Sequence, residues 1–334
     1  MSRSGTYRTR TILLLGLLTF VFACTIGQTA NTQPAFDSTK AALELEATAM
    51  VLQLTQAAMQ NQVAPTQAPA ATLPPAAPAA PAEATTIPPT VSTMPDFDTW
   101  MKSASILLYE DMAGVYDVYR YIPIAIDGMG LTYVDQGDAL GRFKDQLLSN
   151  GPGGRGWDLV IAAKEVRGGF QGEFYEYLNG ALNAGSSVIL EEWGMDQLGG
   201  GKLSLLTGRC GVEFDRDWAG NSIEDSVIYA MNGSNPIHHT PNGGLSLTKV
   251  TGYWLGFDLG DRMRIAPGGD ATALWSLYGK SNSSDIVAVT CLNNRMIIQT
   301  YGTHSYSQDR IVPVWQNYIY STLRARYDYL AAQQ

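Results

Sequence analysis

The sequence has few of the residues and none of the short motifs on which common enzyme classes depend. Its 334 residues include only three cysteines and three histidines, and charged residues make up 16% of the chain. It contains no H-E-x-x-H zinc motif, no glycine-rich phosphate loop and no G-x-S-x-G nucleophile turn. The usual signatures of hydrolases and nucleotide-binding proteins are therefore absent, and the low charge predicts a polar rather than a highly charged surface.

Long apolar segments are also absent. The most apolar run, TILLLGLLTFVFA at residues 11–23, is shorter than the roughly 20 residues that a membrane-spanning helix needs. Arg3, Arg8 and Arg10 precede this run, and a small residue ends it. A charged segment followed by a short apolar one predicts a secretory signal peptide over residues 1–23.

The sequence Val21-Phe-Ala-Cys24 resembles the lipobox of bacterial lipoproteins. The resemblance implies cleavage before Cys24 and a lipid on its thiol, which would anchor the chain to the outer face of a bacterial cell membrane. Ordinary cleavage and an uncleaved N-terminal anchor are the alternatives. Removing residues 1–23 takes away three arginines and no acid, so the formal net charge of −9 becomes −12. A protein with this negative charge is not attracted electrostatically to nucleic acid.

Two segments separate this anchor, and a tether over residues 24–38, from the rest of the chain. Residues 39–62 contain neither glycine nor proline and carry an a/d seam. The seam consists of Leu43, Ala47, Met50, Leu54 and Ala57. This pattern predicts a helix that either makes homo-oligomers as a short coiled coil or lies alone as an amphipathic helix. Residues 63–95 hold nine prolines and one charge, which predicts a disordered, extended linker with a reach on the order of 100 Å.

Residues 96–334 are predicted to form the globular head. Short apolar strands are expected at 105–110, 131–135, 157–162 and 188–190, and helices at 116–129, 138–149 and 172–184. Pro123 is expected to kink or break the first of these helices. Strands that alternate with helices in this way predict an α/β fold with a parallel sheet covered on both faces.

The amino-acid composition changes after residue 208, where glycine, asparagine and β-branched residues become frequent. Antiparallel strands are expected at 271–278, 285–291 and 295–301, with a tight turn at Asn293-Asn294 and a final helix at 310–330. The fold class is therefore a doubly wound, mostly parallel α/β sheet with antiparallel C-terminal strands. Cys210 and Cys291 lie in this region and form either a disulfide or two buried free thiols.

The ends of the predicted parallel strands are acidic. They carry Glu110, Asp111, Asp135, Lys164, Glu165, Glu191 and Glu192. Because ligands bind outside the carboxyl ends of strands in such sheets, these residues are candidates for a site. Three interpretations are open: a polar site, such as a sugar site, in which Trp193 stacks on the ligand; a site for a hard cation; and a solvated rim paired with Lys164, Arg142 or Arg167. Trp193 can also wedge under the following loop.

Four segments, DLVIAAKE, NAGSSVILEE, SNPIHH and RMIIQTYGTHSYS, together resemble the class I glutamine amidotransferase-like superfamily over about residues 104–330. The branch in question includes trehalose-utilisation-like proteins and the trimerisation domain of some β-galactosidases. The resemblance implies a flavodoxin-like fold. It also implies a nucleophilic cysteine after the strand at 188–190, where this chain has Glu191-Glu-Trp-Gly194. Glutamine hydrolysis is therefore not expected.

Histidines and aspartates elsewhere give weaker signals. His304 lies where the family has its catalytic base, but Tyr306 replaces the acid that should follow; His304 is a remnant, a ligand contact or a core histidine. His238 and His239 are adjacent and cannot chelate one ion simply. The segment 215–220 begins like a calcium loop but lacks its later acids. No metal and no cofactor are predicted.

These features lead to one main functional hypothesis and two alternatives. The main hypothesis is a lipid-anchored surface protein whose head is a non-catalytic binding or assembly module for a carbohydrate or protein partner. One alternative is a carbohydrate-active enzyme that works through Glu191 or Glu192 with His304. The other is a structural, stalked oligomer assembled through residues 39–62.

Overall fold

The structure is a computed structural model that describes residues 94–112, 119–165, 170, 172–196, 201–220, 222–254, 256, 258–279 and 284–334. The predicted signal peptide, Cys24, the helix at 39–62 and most of the linker lie outside the described residues. Within the described ranges, no helix combines the length and apolarity needed to cross a membrane.

Helices and strands alternate through the first half of the head, as the sequence pattern predicts. The helices are α1 (Phe97–Lys102), α2 (Tyr121–Gly128), α3 (Leu140–Leu148), α4 (Gly172–Asn183), α5 (Ser204–Cys210) and α6 (Gln308–Ala331). The strands of this half are β1 (Ile106–Asp111), β2 (Val134–Asp135), β3 (Leu159–Lys164) and β4 (Ser187–Glu191). Pro123 lies in the first turn of α2, where backbone N–H groups have no intrahelical partner, so it does not break the helix.

The second half contributes the remaining strands, β5 (Val212–Ala219), β6 (Tyr229–Ala230), β7 (Asp258–Ile265), β8 (Thr272–Ser276), β9 (Ile286–Cys291) and β10 (Met296–Gln299). The main sheet has the order β2-β1-β3-β4-β10-β9-β7-β5, and β8 and β6 extend it from β9. Strands β2, β1, β3, β4 and β10 are parallel. The strand predicted at 295–301 pairs antiparallel with β9, as expected, and its other edge pairs parallel with β4, which the sequence did not predict.

The two faces of the sheet bury separate apolar clusters, because successive side chains of a strand point to opposite faces. One cluster joins Leu108, Ile161 and Ile189 to helices α2 and α6. The other joins Leu107 and Val160 to helices α3, α4 and α5. The sheet is therefore covered by helices on both faces, as continuous apolar strands require.

Cys210 and Cys291, whose pairing the sequence leaves open, are joined by a disulfide bond with Cα atoms 5.3 Å apart. The bond connects the end of α5 to the end of β9 and closes a loop across 81 positions of sequence. It therefore ties a helix on one face of the sheet to the antiparallel half. Cross-links over long loops limit the unfolded chain most strongly.

Candidate functional site

Polar side chains replace the apolar core at the carboxyl ends of the parallel strands. The register aligns Glu110 of β1 with Ala163 of β3, Ala163 with Glu191 of β4, and Glu191 with Gln299 of β10. Aligned residues share a face of the sheet, and Glu165, two positions beyond Ala163, continues along the same face. The glutamates at 110, 165 and 191 therefore lie together on the α2–α6 face, and with His304 they are called the glutamate cluster.

Glu191 lies inside the protein and accepts hydrogen bonds from two side chains. Its Oε2 atom is 2.7 Å from Nε2 of Gln299 and 2.5 Å from the Thr303 hydroxyl. Only 1% of the residue is exposed. The indole N–H of Trp315 donates to the same threonine hydroxyl at 3.1 Å. A glutamate at the expected nucleophile position is thus held by a hydrogen-bonded chain that reaches back into helix α6.

Glu165 is the centre of the cluster. It accepts backbone N–H groups of Thr303 and His304 at 3.0 Å each, and the indole N–H of Trp254 at 2.9 Å. The glycine before Thr303 makes this possible, because a Cβ at Gly302 would lie 3.0 Å from Glu165 Oε1 and 2.9 Å from the Trp254 indole nitrogen. The YGTHSY segment therefore wraps its backbone around a buried carboxylate.

His304 bridges this carboxylate and a backbone carbonyl. Its Nδ1 atom lies 3.3 Å from Glu165 Oε1, and its Nε2 atom lies 2.8 Å from the carbonyl oxygen of Tyr119. Burial acts to lower the pKa of His304, but hydrogen bonding to Glu165 and the charge of Glu165 raise it overall. Both ring nitrogens face acceptors, so the geometry favours a protonated imidazolium.

Among the charged groups of the protein, Glu165 acts most strongly on Glu191. Burial, and then the charge of Glu165, raise the pKa of Glu191 well above its ordinary value. A glutamate whose pKa is raised in this way holds its proton to a higher pH than an ordinary carboxyl group does. A protonated carboxyl group beside a carboxylate is an arrangement that can perform acid–base chemistry.

Glu110 is held by Arg120 rather than by solvent. Arg120 Nε donates to Glu110 at 2.7 Å while its other nitrogens bind Asp135 at 2.6 and 2.9 Å. Burial raises the pKa of Glu110 to about 7, although the Arg120 charge acts against that shift. Asp111 is near Lys164, with 3.7 Å between charged atoms. The interpretation as a solvated rim paired with Lys164, Arg142 or Arg167 is therefore wrong for the glutamates, which are buried. It fits Asp111, which lies near Lys164, whereas Asp135 pairs with Arg120 instead.

Glu192 and Trp193 do not join the cluster. Glu192 points to the opposite face, where it accepts from the Tyr175 hydroxyl at 2.7 Å and the Phe170 N–H at 3.1 Å. Trp193 is 1% exposed and donates its indole N–H to the carbonyl oxygen of Lys164 at 2.7 Å. Both side chains hold neighbouring chain segments in place, and neither presents a surface to a ligand.

An aromatic layer covers the glutamate cluster, and it was not predicted from the sequence. Tyr121 stacks on the His304 ring at 4.5 Å, Tyr253 lies 6.1 Å from the same ring, and Trp254 contacts Tyr253 at 4.9 Å. Tyr119, whose carbonyl oxygen contacts His304, is 74% exposed, and Tyr121, Tyr253 and Trp254 are partly exposed. These four residues are called the aromatic cap. Their only signal in the sequence was the presence of tyrosine and tryptophan around the start of α2 and in the irregular segment at 253–254.

The remaining histidines have structural contacts. His238 is buried, its Nε2 lies 2.8 Å from the Met231 carbonyl oxygen, and its ring packs edge-on against Trp275. His239 contacts the Gly233 carbonyl oxygen. They bind separate carbonyls on different sides, so they do not chelate an ion together.

Two other parts of the described chain offer ligand space or metal ligands. A cavity of about 400 Å³, lined by Trp100, Ser105 and Asp158 among others, opens at the opposite ends of β1 and β3. The segment 215–220 is part of strand β5 rather than a calcium loop. However, Asp217 in that strand lies near Asp196 and Asp261, and these three carboxylates could hold a metal ion.

No protein-family model and no curated protein matches this chain. The resemblance to the amidotransferase-like superfamily therefore remains a prediction, and the site has to be interpreted from its own geometry.

Proposed function

We propose that the chain is an exported, lipid-anchored surface protein whose head is a binding module with a flavodoxin-like, amidotransferase-like fold. The five parallel strands support this fold, because β2-β1-β3-β4-β10 corresponds to the flavodoxin-like order 2-1-3-4-5 when β10 is counted as the fifth strand. In that fold class, ligands bind at the carboxyl ends of the strands, which is the edge where the aromatic cap lies.

The observation that carries the proposal is the position of the aromatic cap above a carboxylate layer whose acceptors are already used. Glu165 accepts three N–H groups and Glu191 accepts two side-chain donors within the protein. These hydrogen bonds are made within the protein, where they position residues 302–304 and Trp254. The cap, by contrast, presents exposed ring surface, with Tyr119 most exposed.

A carbohydrate is the ligand class that this surface fits best. Aromatic faces pack against the C–H faces of sugar rings, and ligand sites combine such surfaces with a few polar groups. Tyr119 and Tyr253 supply phenol groups beside the rings, and the partly exposed Asp135 supplies a carboxylate held by Arg120. The acidic character of the chain disfavours anionic ligands such as nucleic acid at this surface.

A thermal-shift panel on the full-length chain in detergent tests the proposal. Neutral mono- and oligosaccharides are the probes, because a ligand that binds the native state raises the melting temperature. Tyr119→Ala removes the most exposed ring of the cap and is expected to abolish the shift. Tyr278→Ala removes a similarly exposed ring, 58% accessible, from the antiparallel region and is expected to leave it unchanged. Equal responses in both variants, or no shift with any sugar, would refute a carbohydrate site at the cap.

A second candidate, a carbohydrate-active enzyme, is favoured by one specific observation. Burial and the charge of Glu165 raise the pKa of Glu191 well above its ordinary value, and His304 lies 3.3 Å from Glu165. In this mechanism Glu191 would donate a proton and Glu165 would accept one. Glu192 faces the opposite side of the sheet and has no part in it.

Glu191→Gln separates the two candidates. In a binding module the variant keeps its affinity for the sugar, because the side chain lies beneath the cap. In an enzyme it binds but no longer converts the sugar, which chromatography of the incubated oligosaccharide would detect. The structural-oligomer alternative depends on residues 39–62, outside the described residues, and is tested by whether deleting them changes the oligomeric state.

A further inference from the structure

Three aspartates from separate parts of the chain converge on the antiparallel side of the sheet. Asp217 of β5 is the register partner of Asp261 of β7, and Asp196 follows the end of β4. One carboxylate oxygen from each residue lies within 4.8 Å of the others. These residues are called the aspartate trio.

The backbone around Asp261 is built to bring its side chain inward. Gly260 has φ +133°, and a Cβ there would lie 1.9 Å from the carbonyl oxygen of Thr300. Only glycine allows this approach, and Asp261 N then donates to the same carbonyl at 3.0 Å. The close approach places Asp261 in the interior, where the residue is 0% exposed.

Asp261 is incompletely satisfied inside the protein. Its Oδ2 atom accepts the backbone N–H of Met195, but its Oδ1 atom is buried and has no hydrogen-bond partner. A buried oxygen left without a donor costs free energy, and such groups point to a water or an ion. This orphan oxygen is independent of the clustering and itself indicates a ligand.

The charges around the trio also favour a bound cation. Like charges directly opposite one another across a strand pair are destabilising, and Asp217 faces Asp261 in that manner. A cation would offset the repulsion and fill the missing interaction at the same time.

We propose that the aspartate trio is a calcium site. Oxygens on opposite sides of Ca²⁺ can be about 4.8 Å apart, twice a Ca–O distance of about 2.4 Å, whereas Mg²⁺ requires about 4.2 Å or less. Calcium therefore fits every separation up to the 4.8 Å limit, whereas magnesium fits only the shorter separations. Asp196 and Asp217 are exposed, so water completes the coordination from the open side.

The site does not rest on the proposed function of the aromatic cap. Three carboxylate ligands with water form an open site, comparable to the extracellular modules that bind calcium with Kd values of about 10⁻⁴–10⁻³ M. The expected role is to lock the end of β4 onto strands β5 and β7.

Isothermal titration calorimetry on the full-length chain tests this site. The chain is freed of metal with EDTA, returned to chelator-free buffer at about pH 8, where aspartates are ordinarily ionised, and titrated with CaCl₂ and then with MgCl₂. We expect one calcium per chain, with magnesium at least about tenfold weaker. Asp217→Asn is expected to weaken calcium binding at least about tenfold. Asp217 is exposed, so the variant should fold.

The matched control is Glu213→Gln, which removes one negative charge from the same strand. Glu213 is exposed and pairs with Arg264 at 2.8 Å, so its loss should change the calcium affinity less than about twofold. No calcium binding up to about 20 mM, or equal weakening by both substitutions, would overturn the proposal. The second outcome would mean that calcium responds only to the overall negative charge.

Discussion

The two halves of the sheet each bury acidic side chains, and they differ in what surrounds those side chains. In the parallel half, Glu165 receives three N–H donors and Glu191 receives two side-chain donors. In the antiparallel half, Asp261 receives the N–H of Met195 and has one buried oxygen without a partner. The charges that act most strongly on it are two further aspartates.

The contrast shows why an acidic cluster cannot be interpreted from its charge alone. Donors supplied by the chain turn the glutamate cluster into a framework that positions residues 302–304 and the aromatic cap. Where the chain supplies too few donors, the aspartate trio leaves capacity for an external cation. Acidic residues thus support the structure in one half, and in the other they form the proposed cation site.

The largest expected effect is the pH dependence of the free energy of unfolding that Glu110 in the parallel half produces. The pKa of Glu110 is raised from 4.5 to about 7, chiefly by burial, so the folded state holds this proton more tightly than the unfolded state. The contribution of Glu110 to the free energy of unfolding is therefore greatest below about pH 4.5. It is lost as the pH rises through about 7, and the loss is on the order of 3 kcal/mol. The raised pKa values of Glu191 and His304 act in the same direction. Urea unfolding between pH 5 and pH 8 measures this slope.

Glu110→Gln should flatten that dependence, because the amide does not titrate. Glu173→Gln is the matched control, since Glu173 is 41% exposed and pairs with Lys144. A slope that stays the same in Glu110→Gln would show that Glu110 titrates normally and is not buried as described.

A smaller change in the free energy of unfolding is expected when the hydroxyl group of Thr303 is removed. Thr303→Val keeps the shape of the side chain but removes the donor to Glu191 and the acceptor for the Trp315 indole. Leaving these buried groups unsatisfied should lower the free energy of unfolding by about 2 kcal/mol.

Thr322→Val provides the comparison for this substitution. Thr322 is also buried, but its hydroxyl bonds only to carbonyls of its own helix, Tyr318 at 2.8 Å and Ile319 at 3.1 Å. Its loss should cost less than about 1 kcal/mol. If both variants unfold at the same urea concentration, the donors around Glu191 are not what holds the cluster.

Much of the parallel half could be predicted from the sequence, because its strands are short apolar runs separated by amphipathic helices. Strands β1, β3 and β4 and helices α3, α4 and α6 lie within two residues of the predicted bounds. Strand β2 is shorter than predicted, with only Val134–Asp135 paired at an exposed edge. The acidic strand ends were also visible, since a carboxylate directly after a buried strand interrupts an apolar pattern.

The contacts between distant segments could not be predicted. The pairing of Glu165 with residues 302–304 and of Asp261 with residue 195 depends on sequence separations of 66 or more. No local period encodes such contacts. The alternation that sends Glu191 and Glu192 to opposite faces was available in principle, but which face carries the site depends on where β10 inserts.

The smallest expected effect on the free energy of unfolding concerns Asp217 in the antiparallel half. Its sign is expected to differ between EDTA and calcium. In EDTA, Asp217→Asn removes a negative charge that faces Asp261 and should raise the free energy of unfolding by about 0.5 kcal/mol. In saturating calcium the order should reverse, because the parent chain gains the binding free energy and the variant loses a ligand. Urea unfolding of both proteins in the two buffers measures the difference. A variant that is less stable than the parent even in EDTA would mean that Asp217 has a partner within the chain, and the distinction between the two acidic clusters would then disappear.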